Sequence, residues 1–313
     1  MREGILAVAV AATAACSTSS SGTGGPEMLP GLNPDPPPSS GFQIVLPVVH
    51  GIQPGASVEM CTYTDHILAQ DLLVKGSKGF QTHGGHHVIL FYTTQPQPPG
   101  TTDVCSEQQM TQLRYVSASR GEGSGQGDML PGNLVVPVPA GAQLVVNHHY
   151  LNAGSDPIDA QSAVDVYPAE PGSGTVAAGP VAWVDTSLRA PPGVSSMVVS
   201  CSTPNDMPLW LLYPHMHQWG THATVDRVSP DGSGERLFDV SWIPEYVFDP
   251  PMMVRDPSDP YVLHTGDKLQ VTCTWNNSTP SDLTFGMEMC VAFGETVGQG
   301  GNLACNHGAW APL

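Results

Sequence analysis

Charge is scarce in this chain. Only 12% of its 313 residues are Asp, Glu, Lys or Arg, and Lys and Arg together number ten. Those ten are spread thinly, so no positive cluster exists to grip a phosphate backbone, and nucleic acid is not an expected partner. The 28 acidic residues give a formal charge of −18, an acidity that suits solubility outside the cytoplasm. Long segments with a 3.6-residue apolar period are missing, which argues against helical folds. No cysteine stands in a Cys-x-x-Cys pair, so a thiolate zinc site or a redox dithiol is not expected. The chain also lacks a Gly-x-Ser-x-Gly nucleophile elbow and a phosphate-cradling glycine loop.

Gly and Pro, by contrast, number 34 and 31. Turn formers at that density fit many short strands better than helices. The length suggests two domains, either of them large enough to bury a core.

The first sixteen residues, MREGILAVAVAATAAC, read as an export signal. Arg2 supplies the positive charge, an apolar run follows, and small residues precede Cys16. The run is too short to span a membrane. Residues 1–16 are thus expected to be a signal peptide of the lipoprotein type, with Cys16 lipidated. The expected location is the bacterial periplasm or cell surface, with the membrane touched only through that anchor. Removing Cys16 leaves six cysteines: Cys61, Cys105, Cys201, Cys273, Cys290 and Cys305. An even number in an exported chain suggests disulfides, and six cysteines allow fifteen pairings.

Residues 17–40 are rich in Ser, Gly and Pro and read as a flexible tether. Strand-like runs follow at 42–49, 58–64, 86–94 and 144–151. Pro47 marks an edge or a bend in the first of them. The stretch YPAEPGSGTVAAGP supplies a linker at 169–180. Strand patterns resume at 181–184, 197–201, 210–217, 221–228, 268–275 and 284–293. The expectation is an all-β protein of two jelly-roll-like antiparallel β-sandwich domains, over 41–168 and 181–313.

Three histidine-rich places could carry chemistry. LLYPHMHQWGTH, at 211–222, puts His215 and His217 two residues apart. On a strand, residues i and i+2 share a face, which makes a metal clamp. In the first half, His83-Gly84-Gly85-His86-His87 leads into an apolar strand. Neighbours in a regular strand point to opposite faces, so His86 and His87 can share a metal only if the backbone bends. Gly84 and Gly85 permit that. A second pair, His148-His149, ends the strand LVVNHHY. His86 and His87 with one of His148 or His149 would form a three-imidazole site for copper or zinc. Met287 and Met289 in FGMEMC are placed on one strand face, and a thioether favours Cu(I). A cupin would want a Glu soon after the His-x-His, and none follows. A blue-copper site needs a free Cys, and the six cysteines are better used in bridges.

Taken together, these motifs resemble the copper type II, ascorbate-dependent monooxygenases, the family of peptidylglycine α-hydroxylating monooxygenase and dopamine β-monooxygenase. The likeness runs from about residue 41 to the end. It rests on His86-His87, His149-Tyr150, His215-Met216-His217, Gly266-Asp267-Lys268-Leu269 with Thr272-Cys273, and Glu288-Met289-Cys290. The resemblance implies two copper ions, one held by His86, His87 and His149, the other by His215, His217 and Met289. In the family, the first copper stores an electron. The second binds O2 and hydroxylates a small-molecule substrate, with ascorbate or a similar donor as reductant. The resemblance also implies the bridges Cys61–Cys105, Cys201–Cys305 and Cys273–Cys290, and it favours His149 over His148.

One departure matters. Peptide-hydroxylating members hold a substrate carboxylate with an Arg, an Asn and a Tyr. The matching positions here carry Tyr213, Val291 and Phe293. A substrate pocket lined by those three suits a neutral or aromatic molecule rather than a peptide carboxylate. The loss of the anchors also keeps open a non-catalytic copper-binding lipoprotein that stores, delivers or senses the metal.

Overall fold

A computed structural model describes residues 28–312, apart from 111, 125–126, 248 and 300–302. The signal peptide and Cys16 lie outside the described residues. The protein is all-β, two jelly-roll-like sandwiches whose pairings are antiparallel save for two parallel ones. The α-helix among the described residues is Glu107–Met110.

The first sandwich packs a five-stranded sheet against part of a larger one. The five strands run in the order Thr102–Val104, Ser57–Ile67, Gln143–Leu151, Gly85–Thr93, Arg114–Arg120. Opposite lie Phe42–Val45, Ser162–Pro168, Leu72–Gln81 and Leu134–Val138. Val88, Leu90, Leu144 and Val146 from one sheet meet Val74, Leu134, Val136 and Val164 from the other. The second sandwich sets Gly193–Ser202, Lys268–Asn277, Gly220–Val228 and Gly234–Ser241 against Val176–Val184, Val291–Val297 and Met207–His215. Strand KLQVTCTWNN shows why it forms here. Leu269, Val271, Cys273 and Trp275 alternate inward into the core, while the residues between them are polar.

The halves are not merely side by side. Leu134–Val138 pairs in parallel with Val176–Val184, so one 13-stranded sheet runs through both. Val176 and Ala178 face the first core, whereas Val181 and Trp183 face the second. Alternation along a strand makes these opposite faces. The five-stranded and four-stranded sheets therefore cover opposite sides of the shared sheet.

Four expectations are corrected. The linker at 169–180 ends early, because Val176 already belongs to a strand. The tether at 17–40 is docked from Leu29 onward. Leu29 N donates to Gln161 Oε1 at 2.8 Å, Lys78 pairs with Asp35, and Leu32 is 4% exposed against Phe80 and Ala163. The strand at 210–217 stops at His215. The strand at 284–293 is two pieces, Leu283–Thr284 and Val291–Val297, with a turn between them. Gly286 takes φ 91° there, and Met287 N and Glu288 N both fold back onto Thr284 O. Met287 and Met289 consequently share no strand face, and Met287 is 52% exposed.

Three disulfides cross the fold: Cys61–Cys105, Cys201–Cys305 and Cys273–Cys290. These are the pairs the resemblance implies. Bridges of this number mark an oxidising, extracytoplasmic compartment. No helix among the described residues is long and apolar enough to cross a membrane.

Candidate metal centres

Three imidazoles meet at the rim of the five-stranded sheet. His87 pairs directly with His149 across adjacent strands, so both rings stand on one face. Regular alternation would send His86 to the other face. Instead the register steps from His149↔His87 to Tyr150↔Gly85. His86 is thereby the extra residue of a β-bulge, and the bulge re-aims its ring toward the other two. The turn before it requires glycine. Gly84 has φ 83°, and a Cβ there would lie 2.7 Å from Ile158 Cδ1.

His86 Nδ1 lies 3.0 Å from Nδ1 of His87 and 3.0 Å from Nδ1 of His149. The ligand atoms of all three lie within 4.8 Å of one another. The outer nitrogens of two rings are held from behind. His87 Nε2 is 3.1 Å from Asn147 Oδ1 and 3.7 Å from Glu59 Oε1. His149 Nε2 is 2.7 Å from Ser57 Oγ. Asn147 Nδ2 donates to Glu59 Oε1 at 2.7 Å, tying the set together. Partners of this kind orient a ring and leave its inner nitrogen free to bind a metal.

Electrostatics agrees with a cation site. Burial first, then repulsion from the neighbouring rings, lowers His86 to about 4, and Glu59 opposes this. His149 falls to about 4 for the same reasons, burial leading. Both rings are neutral at pH 7, the state a metal needs. Glu59 is held at about 2, chiefly by the neighbouring His87 imidazole, against burial and with help from the Asn147 hydrogen bond. Three imidazoles converging on one point fit copper or zinc.

His148 does not join them. It is 0% exposed and points into the first sandwich. Its ring lies 2.9 Å from Thr62 Oγ1 and 3.0 Å from the Tyr150 hydroxyl. Burial pushes it down to about 3.

In the second half, His215 ends its strand and His217 lies just beyond. Their ring centroids are 5.2 Å apart. Burial, then repulsion from His217, lowers His215 to about 3. His215 pairs with Val291, which pairs with Val184. Two residues along lie Tyr213, Phe293 and Ala182, in the same lateral register. Phe293 sits 5.7 Å from both the His215 and Tyr213 rings. Met289 packs with Phe293 on this apolar surface of Ala182, Val184 and Val291. Two imidazoles and a thioether suit Cu(I). Leu211 and Val297, on the same face of their strands as His215 and Val291, touch the first core. The His215 surface therefore lies on the side of the shared sheet that carries the three-histidine half.

Sequence reasoning gave no role to Glu59, Ser57, Asn147 or Glu288. Asn147 had a signal, because it sits two residues before His149. Glu59 and Ser57 had none, since only strand pairing brings them to the site.

Among known proteins, no family model matches the chain, and no curated protein matches it. Among solved structures, it is similar to one of Sulfolobus turreted icosahedral virus, at 10% identity and TM-score 0.22, over 83% of this chain and 60% of that one. The chain thus spans less than two thirds of that protein. It is also similar to a structure of infectious bursal disease virus Gx strain, at 10% identity and TM-score 0.21, over 84% of this chain and 72% of that one. A third is the PBSX exported protein XepA, at 9% identity and TM-score 0.20, over 82% and 87%. Likeness at this level carries no functional information.

Proposed function

We propose that this chain is an exported copper monooxygenase that hydroxylates a substrate C–H bond with O2, drawing electrons from ascorbate or a similar donor. The observation that carries the reading is the convergence of three Nδ1 atoms from His86, His87 and His149, two of the rings held from behind. The resemblance to copper type II monooxygenases supplies the reaction. His86, His87 and His149 would hold one copper, and His215, His217 and Met289 the other. Bound copper supplies one-electron and O2 chemistry. The chain's own part is to hold and surround it. The Met289 thioether favours the reduced ion. Tyr213 and Phe293, over the buried Val291, would give His215 an apolar flank that suits a neutral or aromatic molecule. None of them offers a cation to a peptide carboxylate. Cys16 would anchor the mature chain to a membrane by its lipid.

A second reading, a non-catalytic copper-binding lipoprotein, is favoured by those same three residues standing where the family keeps its substrate anchors. Copper content decides between sites, and turnover decides between readings. Protein loaded with Cu(I) and dialysed is expected to hold two coppers, falling to one when His215 and His217 are both replaced by Ala. Ascorbate-driven O2 consumption is expected to rise with an apolar substrate. Met289→Ile is expected to abolish it while the three-histidine copper stays. Two coppers with no substrate-dependent consumption would move the assignment to the binding protein.

A further inference from the structure

The loop holding His217 and the turn holding Met289 come from segments about seventy residues apart in sequence, as the separation of 71 between His217 and Glu288 shows. Neither is in a regular strand. Strand pairing brings them near but stops at His215↔Val291, two residues short of each, so something else must set their spacing. Glu288 does. Its side chain is 0% exposed. Its Oε1 accepts from the main-chain N–H of His217 and, at 2.9 Å, from that of Met289. Its Oε2 accepts from Trp219 N at 3.1 Å. One carboxylate oxygen therefore joins the backbones of the two prospective ligands, and the other closes the turn beyond His217. Three further contacts seat the same loop: Trp242 Nε1 donates to His217 O at 3.2 Å, Gly220 N donates to it at 3.2 Å, and His217 Nδ1 lies 3.2 Å from Met287 O in the turn. The Cys273–Cys290 bridge fixes the chain just after Met289.

The geometry points to Glu288 as the positioning residue of the second metal centre, setting the distance between the imidazole of His217 and the thioether of Met289 without touching the ion. This rests on the two-copper reading above. Carboxylates are used here because three N–H donors converge on one buried group. A charged acceptor satisfies all three, and each such bond is stronger than a neutral one. Gln in its place keeps one accepting oxygen and turns an NH2 toward donors. Asp keeps the charge but reaches one methylene less.

The test compares full-length wild type, Glu288→Gln and Glu288→Asp, each loaded with Cu(I) and titrated against a chromophoric Cu(I) chelator. X-ray absorption reads the copper–sulfur contribution of Met289. The three-histidine copper in the same sample reports that the chain is folded. Both variants are expected to keep that copper, to bind the second about 10–100-fold more weakly, as loss of an outer partner does, and to lose the sulfur signal. A variant that binds the second copper with wild-type affinity and an unchanged sulfur signal would overturn the role of Glu288 alone. Loss of both coppers in both variants would overturn it too, making Glu288 a determinant of the fold. Wild type that binds no copper at His215 and His217 would overturn the two-copper reading and this inference together.

Discussion

His148 and His149 are neighbours with opposite fates. His149 faces outward with His87 and meets His86, whereas His148 is enclosed between Thr62 and Tyr150. His149→Ala is expected to lose the three-histidine metal with little loss of stability, since its ring is at the rim. His148→Ala is expected to keep the metal and lose roughly 2–3 kcal/mol, from the cavity and the unpaired Thr62 and Tyr150 hydroxyls. Metal per chain and urea denaturation of the two variants check this. Metal lost from His148→Ala and kept by His149→Ala would shift the site by one residue. Nothing in the dipeptide itself separates the two rings. The face each one takes is set by pairing with Ser57–Ile67 and Gly85–Thr93.

At the scale of elements, the bulge at His86 is the device that makes a three-imidazole site from adjacent histidines. Its preceding turn relies on Gly84 at φ 83°. Gly84→Ala is expected to cost about 1–3 kcal/mol of backbone strain and to weaken metal binding at His86, because Ile158 Cδ1 and Leu151 O crowd the new Cβ. Denaturation and metal titration of this variant check it, and unchanged metal affinity would detach the turn from the site. The glycines before His86 were legible in the sequence as permission to bend. The bulge itself was not, because a register step exists only between two strands. The same limit explains the stretch at 284–293. Its apolar residues alternate well enough to suggest one strand, yet Gly286 and the buried carboxylate of Glu288 fold it into a turn.

Over the whole molecule, the shared sheet couples the halves. Ala178 and Trp210, from strands of the second half, are buried in the first core. The chain is therefore expected to unfold in one calorimetric transition, with equal van't Hoff and calorimetric enthalpies. Two separated transitions would show that the sheet junction does not transmit stability. The bridges act at this scale too. Cys201–Cys305 spans 104 residues and Cys273–Cys290 spans 17. Replacing both cysteines of the longer bridge by Ala is expected to cost about 4–5 kcal/mol, and of the shorter one about 3 kcal/mol, from loop-closure entropy. Chemical denaturation of the two double variants checks the order.

The sequence by itself determined the all-β class, because turn formers at high density and period-two runs leave a chain no other way to bury its apolar residues. It also contained the imidazoles of the three-histidine cluster, adjacent in pairs that local reading can see. Tertiary structure decided the rest. It set His149, which the resemblance already favoured, beside His86 and His87, supplied Glu59 and Ser57, brought Glu288 beneath His217 and Met289, and ran one sheet through both halves. Each of these depends on which strand lies beside which, at what register. That is a property of long-range pairing, which no window of residues carries.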